Sequence, residues 1–590
     1  MFRKFTLLLV VFVAVTALCE VQKPAANNSA FDRVLGQVVA REAENVKALR
    51  QYSPVVETYL QEMRPDKDLG EVPVSDRYFL GRVSITKELD NTSFVTASKR
   101  NTTISGGFVK RMTGKMKNAV TPSHTDFNPT GFSYMLLIDQ RGLDREHYSF
   151  EYVGREFLGE LRCYVIDVTP KKKSGVGRFQ GRIWVEDQAY NIVRFNGTFV
   201  NPNGAGHYLH FDTWRLNLQP GVWLPSYVYS EEGSVPNALP KDIGYKGQIR
   251  VWGYNVGRSK GGNAFTDVVV DDKTNVNDQS EAHQDLSPVA AQRAWERQAE
   301  DNALARLEFA GLLAPVGEVD KVLNTVVANL MITNNLEIQP EVRCRVLLTA
   351  PIESFNVGHT IVVSRGMLDV LPDEASLAAV LAHELAHIAL AHHNDTRYAF
   401  SDQLIFNDEY AFQKMHFGRG SQDEEEADRK AVQLLQNSPY KDKLNNVGLF
   451  LRALDSRRAV LPHLIKAQLG NTLAQNNHVR LPELMNSAPR LEPLKTDQVA
   501  ALPMGGRIKL DPWSNRIEIS RSKGVALLGA REKMPFEVTP FFPFLTRLQA
   551  GTAAPTSAPA EAPVPSSSDK PVIGDSNEGS KTAAATPVAK

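Results

Sequence analysis

The stretch from residue 371 to 393 constrains this chain more than any other, because it predicts one long helix with closely spaced histidines. Pro372 and Asp373 are typical of a helix start, and apolar residues follow at helical spacing. His383 and His387 are four residues apart, so their imidazoles project from one face about a turn apart. The two rings can therefore converge on one metal ion at roughly 2 Å each.

Glu384 follows the first histidine and is rotated from it around the helix. A carboxylate there can take a proton from a zinc-acidified water, whose pKa falls toward about 7, as that water attacks a peptide carbonyl. The pattern His-Glu-x-x-His therefore predicts a zinc peptidase with Glu384 as general base. The alternative is a buried helix with hydrogen-bonded histidines, since so short a pattern also occurs by chance.

Two candidates compete for the third metal ligand. His393 lies ten residues after His383, but that pattern needs a turn-forming glycine where this chain has Leu390. Glu424 and Asp428 share a face at the start of a second predicted helix. Glu424 can bind zinc, while Asp428 can accept a hydrogen bond from a ligating imidazole. The sequence favours Glu424 as the third ligand of one Zn²⁺ per chain, although a charge run taken alone is usually a solvated face.

The N-terminus has the composition of a secretory signal. Arg3 and Lys4 precede an apolar run over residues 5–18, and Ala17 and Cys19 supply small residues for cleavage before Glu20. The run is shorter than the roughly 20 residues that span a bilayer. We expect an exported mature chain without a membrane span, in the periplasm or cell envelope of a bacterium or secreted. An uncleaved anchor and acylation of Cys19 are the alternatives.

The remaining composition limits partners and architecture. Positive and negative side chains balance at 67 each, so charge gives no reason to expect nucleic acid as a partner. We expect Cys163 and Cys344 to be free or buried thiols, since two distant cysteines form no disulfide framework. The 590 residues exceed one hydrophobic core, so two or more domains are expected.

Periodicity predicts a multidomain α+β chain. Residues 31–63 have a helical apolar stripe, while residues 70–270 alternate as β-strands, with a hairpin formed by 182–186 and 191–195. Short strands are predicted at 345–348 and 360–363 in an otherwise helical region, and two more at 507–510 and 516–519. The predicted division is a signal peptide at 1–19, a β-rich domain at 20–270, a linker at 271–300, a mainly helical metallopeptidase domain with a small sheet at 301–495, a β-containing extension at 496–550 and a disordered tail at 551–590.

Three segments together resemble the peptidase family of the CAAX prenyl protease and HtpX, and within it the soluble periplasmic BepA-like members. They are residues 355–369, the motif helix and residues 424–428, and the resemblance covers about residues 300–495. It implies that a zincin-type domain uses the zinc ligands His383, His387 and Glu424, the general base Glu384 and the outer aspartate Asp428.

The same resemblance implies that the strand over residues 360–364 lies at a sheet edge, where a substrate backbone can pair. Family members often carry a further His or Arg near the end of the domain that helps to polarise the carbonyl. The expected histidine-proline pair is missing here. The candidates are Arg490, His463 and His478, and the group that stabilises the oxyanion stays unassigned.

The N-terminal region resembles the LolA-like lipoprotein-carrier fold. An opening helix precedes antiparallel strands that include residues 152–159 and 164–170. That fold is a β half-barrel around an apolar groove for acyl chains, which implies a lipid or lipoprotein partner. The alternative is a β scaffold that docks on the peptidase.

We therefore expect an exported zinc metalloendopeptidase that hydrolyses protein or peptide substrates of the envelope. The alternative function is an envelope chaperone or a lipid- or lipoprotein-binding protein that holds zinc but cleaves little.

Overall fold

The structure is a computed structural model. It describes residues 26–67, 70–85, 89–94, 132–200, 209–233, 244–254, 288–394, 408–414, 417–472, 474–475, 478–492, 508–510, 517–519 and 536–548. The predicted signal peptide with Cys19, the first part of the predicted linker and the predicted tail lie outside the described residues.

The first helix, α1 (Ala26–Leu49), ends well before residue 63, where the sequence stripe places its end. The prediction is wrong over residues 50–63, because the chain enters strand β1 (Val55–Asp66) there. Pro54 lacks a backbone donor and disfavours helical geometry at the residue before it. The valines that follow favour an extended backbone, so Val56 belongs to the sheet and not to the helical stripe.

Ten antiparallel strands form one sheet in the N-terminal part, as predicted for the β-rich region. After β1 they are β2 (Gly70–Ile85), β3 (Leu89–Ser93), β4 (Tyr148–Leu158), β5 (Leu161–Pro170), β6 (Arg178–Glu186), β7 (Ile192–Val200), β8 (His210–Gln219), β9 (Val222–Glu232) and β10 (Gly244–Trp252). Their order is β3-β2-β1-β10-β9-β8-β7-β6-β5-β4. The predicted hairpin is confirmed as β6 paired with β7.

The chain itself covers both faces of this sheet. On one face the sheet packs against α1 and residues 132–138, which include a short 3-10 helix (Tyr134–Leu136). On the other face Trp184 and Trp214 form a cluster that includes Leu545 from the segment 536–548.

The C-terminal part is mainly helical with a small sheet, as predicted. Its helices are α2 (Pro288–Phe309), α3 (Glu318–Thr333), α4 (Arg365–Val370), α5 (Glu374–Ala389), α6 (Asp408–Lys414), α7 (Ser421–Gln436), α8 (Leu444–Arg457), α9 (Pro462–Ile465) and α10 (Pro482–Ser487), with a 3-10 turn at Lys441–Lys443. Its strands are β11 (Arg343–Leu347), β12 (Glu353–Val357), β13 (Thr360–Ser364), β14 (Asn471–Thr472), β15 (Ala474–Gln475), β16 (His478–Val479), β17 (Ile508–Leu510) and β18 (Ile517–Ile519).

The small sheet corrects one prediction about substrate pairing. Its order is β11-β13-β12-β14, so β13 lies in the interior with β11 parallel on one side and β12 antiparallel on the other. Because both its edges are paired, β13 cannot accept a further strand. Strand β12 was not predicted, and its outer edge is paired at Glu353 and Ser354 by β14. The expected pair of strands after residue 505 is confirmed as β17 and β18.

The N-terminal sheet and the helical part share one apolar core. Tyr59 and Trp252 of the large sheet belong to the same buried cluster as Leu323 and Leu381 of the helices. Cys163 and Cys344 are both buried and free, as expected. Within the described residues, no helix combines the length and apolarity that a membrane span requires.

Two buried carboxylates fasten this junction. Asp76 of β2 accepts hydrogen bonds from the backbone N–H of His463 (3.0 Å) and Leu464 (2.8 Å). Glu57 of β1 accepts one from the backbone N–H of Ala350 (2.6 Å) and pairs with the buried Arg365 at 3.3 Å. Hydrogen bonds to ionised acceptors are stronger than neutral ones, so these contacts hold the two parts together.

We expect Asp76→Ala to lower the free energy of unfolding by roughly 2–4 kcal/mol, because it leaves buried donors without an acceptor. The measurement is the midpoint of thermal unfolding. Asp167→Ala is the matched control, because Asp167 is a half-exposed carboxylate on β5 whose partner is Arg182. A similar fall in both midpoints would contradict a special role for Asp76.

Candidate metal centre

Helix α5 presents the three residues of the sequence motif to the protein interior. Asp373 caps the helix, because its side chain accepts a hydrogen bond from the backbone N–H of Ser376. His383, Glu384 and His387 are all fully buried. Titratable side chains are rarely buried without partners, so each of them requires a specific contact.

Helix α7 supplies the partners. Glu424 lies in its first turn, with one carboxylate oxygen 3.3 Å from Nε2 of His383 and the other 3.5 Å from Nε2 of His387. Asp428 lies one turn later and is 2.8 Å from Nδ1 of His383. The structure therefore brings together the two histidines and the two acidic residues named from the sequence.

The donor set fits a tetrahedral cation. The Nε2 atoms of His383 and His387 are 3.1 Å apart, and the ligand atoms of these residues and Glu424 all lie within 4.8 Å of one another. Ligands about 2.0–2.1 Å from a tetrahedral zinc ion stand roughly 3.3 Å apart. Two nitrogens and one carboxylate oxygen are also the ligand types of catalytic zinc sites, which leave the fourth position open.

Outer contacts hold the rings of both histidines. Asp428 accepts from Nδ1 of His383, which leaves the lone pair at Nε2 for a metal. Nδ1 of His387 lies 2.9 Å from Nδ1 of His392, and a proton donated by His387 in this contact would leave its Nε2 free. Burial lowers the pKa of His387 to about 4, which keeps this ring neutral as a ligand must be.

His392 was not predicted, and the chain path explains its position. Helix α5 ends at Ala389, and Ala391 has a left-handed backbone (φ 54°), which turns the chain back toward the helix. His392 then meets His387, while His393 is exposed. The sequence argument against His393 assumed that the helix continues. In the structure the helix ends, and the chain turns so that His392 and not His393 points inward.

Arg480 is the second residue that the sequence reasoning missed. It is buried and donates a hydrogen bond to Oε1 of Glu384 at 2.9 Å, and its Nε lies 3.4 Å from Glu424. Burial alone would raise the pKa of Glu384, but the Arg480 guanidinium, the two histidines and the Ser354 hydrogen bond together hold that pKa below its usual range. Burial would also raise the pKa of Glu424, but the positive charge of Arg480 and the hydrogen bonds with His383 and His387 lower it far below its usual range.

The arginine and histidines proposed from the sequence lie elsewhere or are not fully described. Arg490 is exposed, whereas Arg480 is the arginine that contacts Glu384. His463 is bonded to Asp76 at the junction with the large sheet. The backbone of His478 belongs to β16, and its side chain lies outside the described part. Arg480 follows β16 directly, two residues after the candidate His478.

Strand β12 lies against the centre. Ser354 is fully buried, and its hydroxyl donates to Oε1 of Glu384 at 2.8 Å and accepts from Arg480 at 3.1 Å. The carboxylate of Glu353 accepts from the backbone N–H of Gln468 (2.9 Å) and Leu469 (3.0 Å), which holds the segment before β14 at this strand. An extended peptide that added to β12 would compete with β14 for the same backbone groups.

Solved structures give likenesses of low similarity. One is a domain described as outer membrane lipoprotein-sorting from Vibrio parahaemolyticus, with 12% identity, coverage of 37% of this chain and 93% of that chain, and a TM-score of 0.20. Another is a DUF1329 family protein from Desulfovibrio piger, with 12% identity, coverage of 38% and 95%, and a TM-score of 0.21. At such TM-scores the likeness says nothing of what this chain binds. A comparison with curated protein sequences gives no match.

The family comparison concerns the segment that carries the centre. Residues 323–407 match the model of peptidase family M48. This segment begins within α3, contains strands β11, β12 and β13 of the small sheet, and includes all of α5 with both histidines of the motif. The predicted resemblance to this metallopeptidase family is therefore confirmed over residues 323–407.

Proposed function

We propose that this chain is an exported, zinc-dependent metalloendopeptidase that hydrolyses peptide bonds of envelope proteins. The observation that carries the proposal is the buried convergence of His383, His387 and Glu424, with Glu384 on the same helix. The family match over residues 323–407 supports a metallopeptidase. Export is supported by the composition of the N-terminus.

In this proposal His383, His387 and Glu424 hold one zinc ion, and Asp428 orients His383 through Nδ1. Bound zinc supplies Lewis acidity, which acidifies a water molecule and polarises a carbonyl. Glu384 takes the proton of the attacking water on its carboxylate and passes it to the amine that leaves. The neutral state of His387, favoured by burial, suits a metal ligand.

Arg480 is proposed as the group that stabilises the oxyanion, in place of Arg490. Its guanidinium is buried and lies between Glu384 and Glu424, where charge develops during attack on a carbonyl. A positive charge in a water-excluded site stabilises a developing oxyanion more strongly than it would in water. Arg480 would move from Glu384 toward the substrate carbonyl as the peptide binds.

We expect Glu384→Gln to lower cleavage of casein by about 10²–10⁴-fold, because the amide cannot take the proton, while zinc content stays at one ion per chain. His383→Ala should lose both zinc and activity. The measurements are metal analysis by mass spectrometry and casein cleavage with and without chelator. Glu425→Gln is the control, because this neighbour of Glu424 is exposed. Purified protein without zinc, or cleavage unaffected by Glu384→Gln, would contradict the proposal.

We expect Arg480→Ala to lower kcat by about 10²–10³-fold with zinc retained, as for the loss of one oxyanion donor. Arg490→Ala is the matched control and should leave kcat unchanged, since Arg490 is exposed. The measurement is steady-state cleavage of a quenched fluorescent peptide. A rise in activity in Arg480→Ala would contradict this role and show that the arginine restrains Glu384.

The alternative function is a chaperone or lipid- or lipoprotein-binding protein of the envelope. The buried Glu384 beside the two histidines, which suits a general base, favours the peptidase proposal. Expression of Glu384→Gln in a deletion strain separates the two functions. Full rescue would favour the binding role, while failure to rescue with normal protein levels would favour catalysis.

A further inference from the structure

We propose that Ser354 is the positioning residue that fixes the orientation of the general base, by holding Oε1 of Glu384 so that Oε2 faces the attacking water. This inference rests on the proposed function. Neither the family match nor the sequence motif assigns a role to Ser354, which belongs to the strand that the sequence did not predict.

The two oxygens of Glu384 have different surroundings. Oε1 accepts hydrogen bonds from the Ser354 hydroxyl (2.8 Å) and from Arg480 (2.9 Å). Oε2 is equally buried, and among the described residues no donor lies within hydrogen-bond distance of it. A buried carboxylate oxygen without a donor is costly, so this asymmetry calls for a reason. A carboxylate anchored through one oxygen leaves the other oriented to accept a proton.

The backbone around Ser354 makes it a rigid anchor. Ser354 is paired with Val363 of β13 on one side and with Asn471 of β14 on the other. A side chain on a strand within a sheet is held more closely than one on a loop. The hydroxyl has one proton, which goes to Glu384, and it accepts from Arg480 at 3.1 Å, so its one donor and one of its two acceptor positions are used in this site.

Ser354 and Arg480 differ in what happens when a peptide binds. Arg480 follows the two-residue strand β16, and the proposed role at the carbonyl requires it to leave Glu384. Ser354 stays in the sheet and keeps its hydrogen bond to Oε1. The serine therefore holds the base in place during the step in which the arginine turns to the oxyanion.

The test compares Ser354→Ala, Ser354→Thr and the wild-type chain. We expect Ser354→Ala to lower kcat by about 10-fold with KM and zinc content unchanged, because a hydrogen bond to a charged group is lost. Ser354→Thr keeps the hydroxyl and should recover kcat. In the Glu384→Gln background Ser354→Ala should change the residual rate by less than about two-fold, because coupled residues are not additive.

Ser376→Ala is the matched control. Ser376 lies on α5 and is fully buried, and its hydroxyl has no hydrogen-bond partner in the part of the chain that the structure describes. Replacing the Ser376 hydroxyl by hydrogen in Ser376→Ala should therefore leave kcat unchanged. A readout independent of activity is the crystal structure of Ser354→Ala, in which the Glu384 carboxylate should occupy a different orientation.

Three outcomes would overturn the inference. Wild-type kcat in Ser354→Ala would show that the hydroxyl does not position the base. Equal losses in the Ala and Thr variants with zinc retained would show that volume and not the hydroxyl matters. An equal effect of Ser354→Ala in the wild-type and Glu384→Gln backgrounds would show that it does not act through Glu384. Failure of the peptidase proposal is distinguishable, because then the wild-type chain itself shows no zinc-dependent cleavage, and the role of Ser354 falls with it.

Discussion

Two buried carboxylates of the large sheet fix the geometry on which the candidate centre depends. Glu57 accepts a hydrogen bond from the backbone N–H of Ala350, which lies just before β12. Asp76 accepts one from the backbone N–H of Leu464. Four residues later, Gln468 donates its backbone N–H to Glu353 of β12. Ionised acceptors in a low-dielectric junction make strong hydrogen bonds, which cannot be exchanged for water without loss. The start of strand β12, next to Ser354, is thereby supported by the N-terminal sheet both directly, before the strand, and through the segment that Glu353 binds.

Charge balance explains the composition of the centre itself. Three carboxylates, from Glu384, Glu424 and Asp428, are buried close to two histidines that must remain neutral to bind a metal. Burying such charges costs several kcal/mol per ion unless each is paired, as a general estimate. The Arg480 guanidinium supplies the largest compensation, and together with the contacts of His383 and His387 it holds the pKa of Glu384 and Glu424 low against the effect of burial. A cation held by His383, His387 and Glu424 would share in that balance.

The sequence predicted the parts of the fold that local patterns encode. The alternation of β6 and β7 gave the correct hairpin, and the capped, alanine-rich α5 was predicted within a few residues of its ends. The prediction failed where contacts with distant parts of the chain decide the structure. The predicted helical stripe continued through Val56, because a valine can pack on the apolar face of a helix or of a strand. Strand β13 was expected at an edge, because pairing on both sides depends on residues distant in the chain.

The sequence by itself determined the residues of the candidate metal centre: a helix with His383, Glu384 and His387, and a second acidic helix start that contains Glu424. The spacing of four within a helix is a local property, so it needs no knowledge of the fold. Only the tertiary structure decided which other groups reach these side chains. Ser354 lies on a strand, 30 residues before Glu384 in the chain, and Arg480 lies 96 residues after it. No local pattern in the sequence marks either residue. Their contact follows from how the sheet and helices pack.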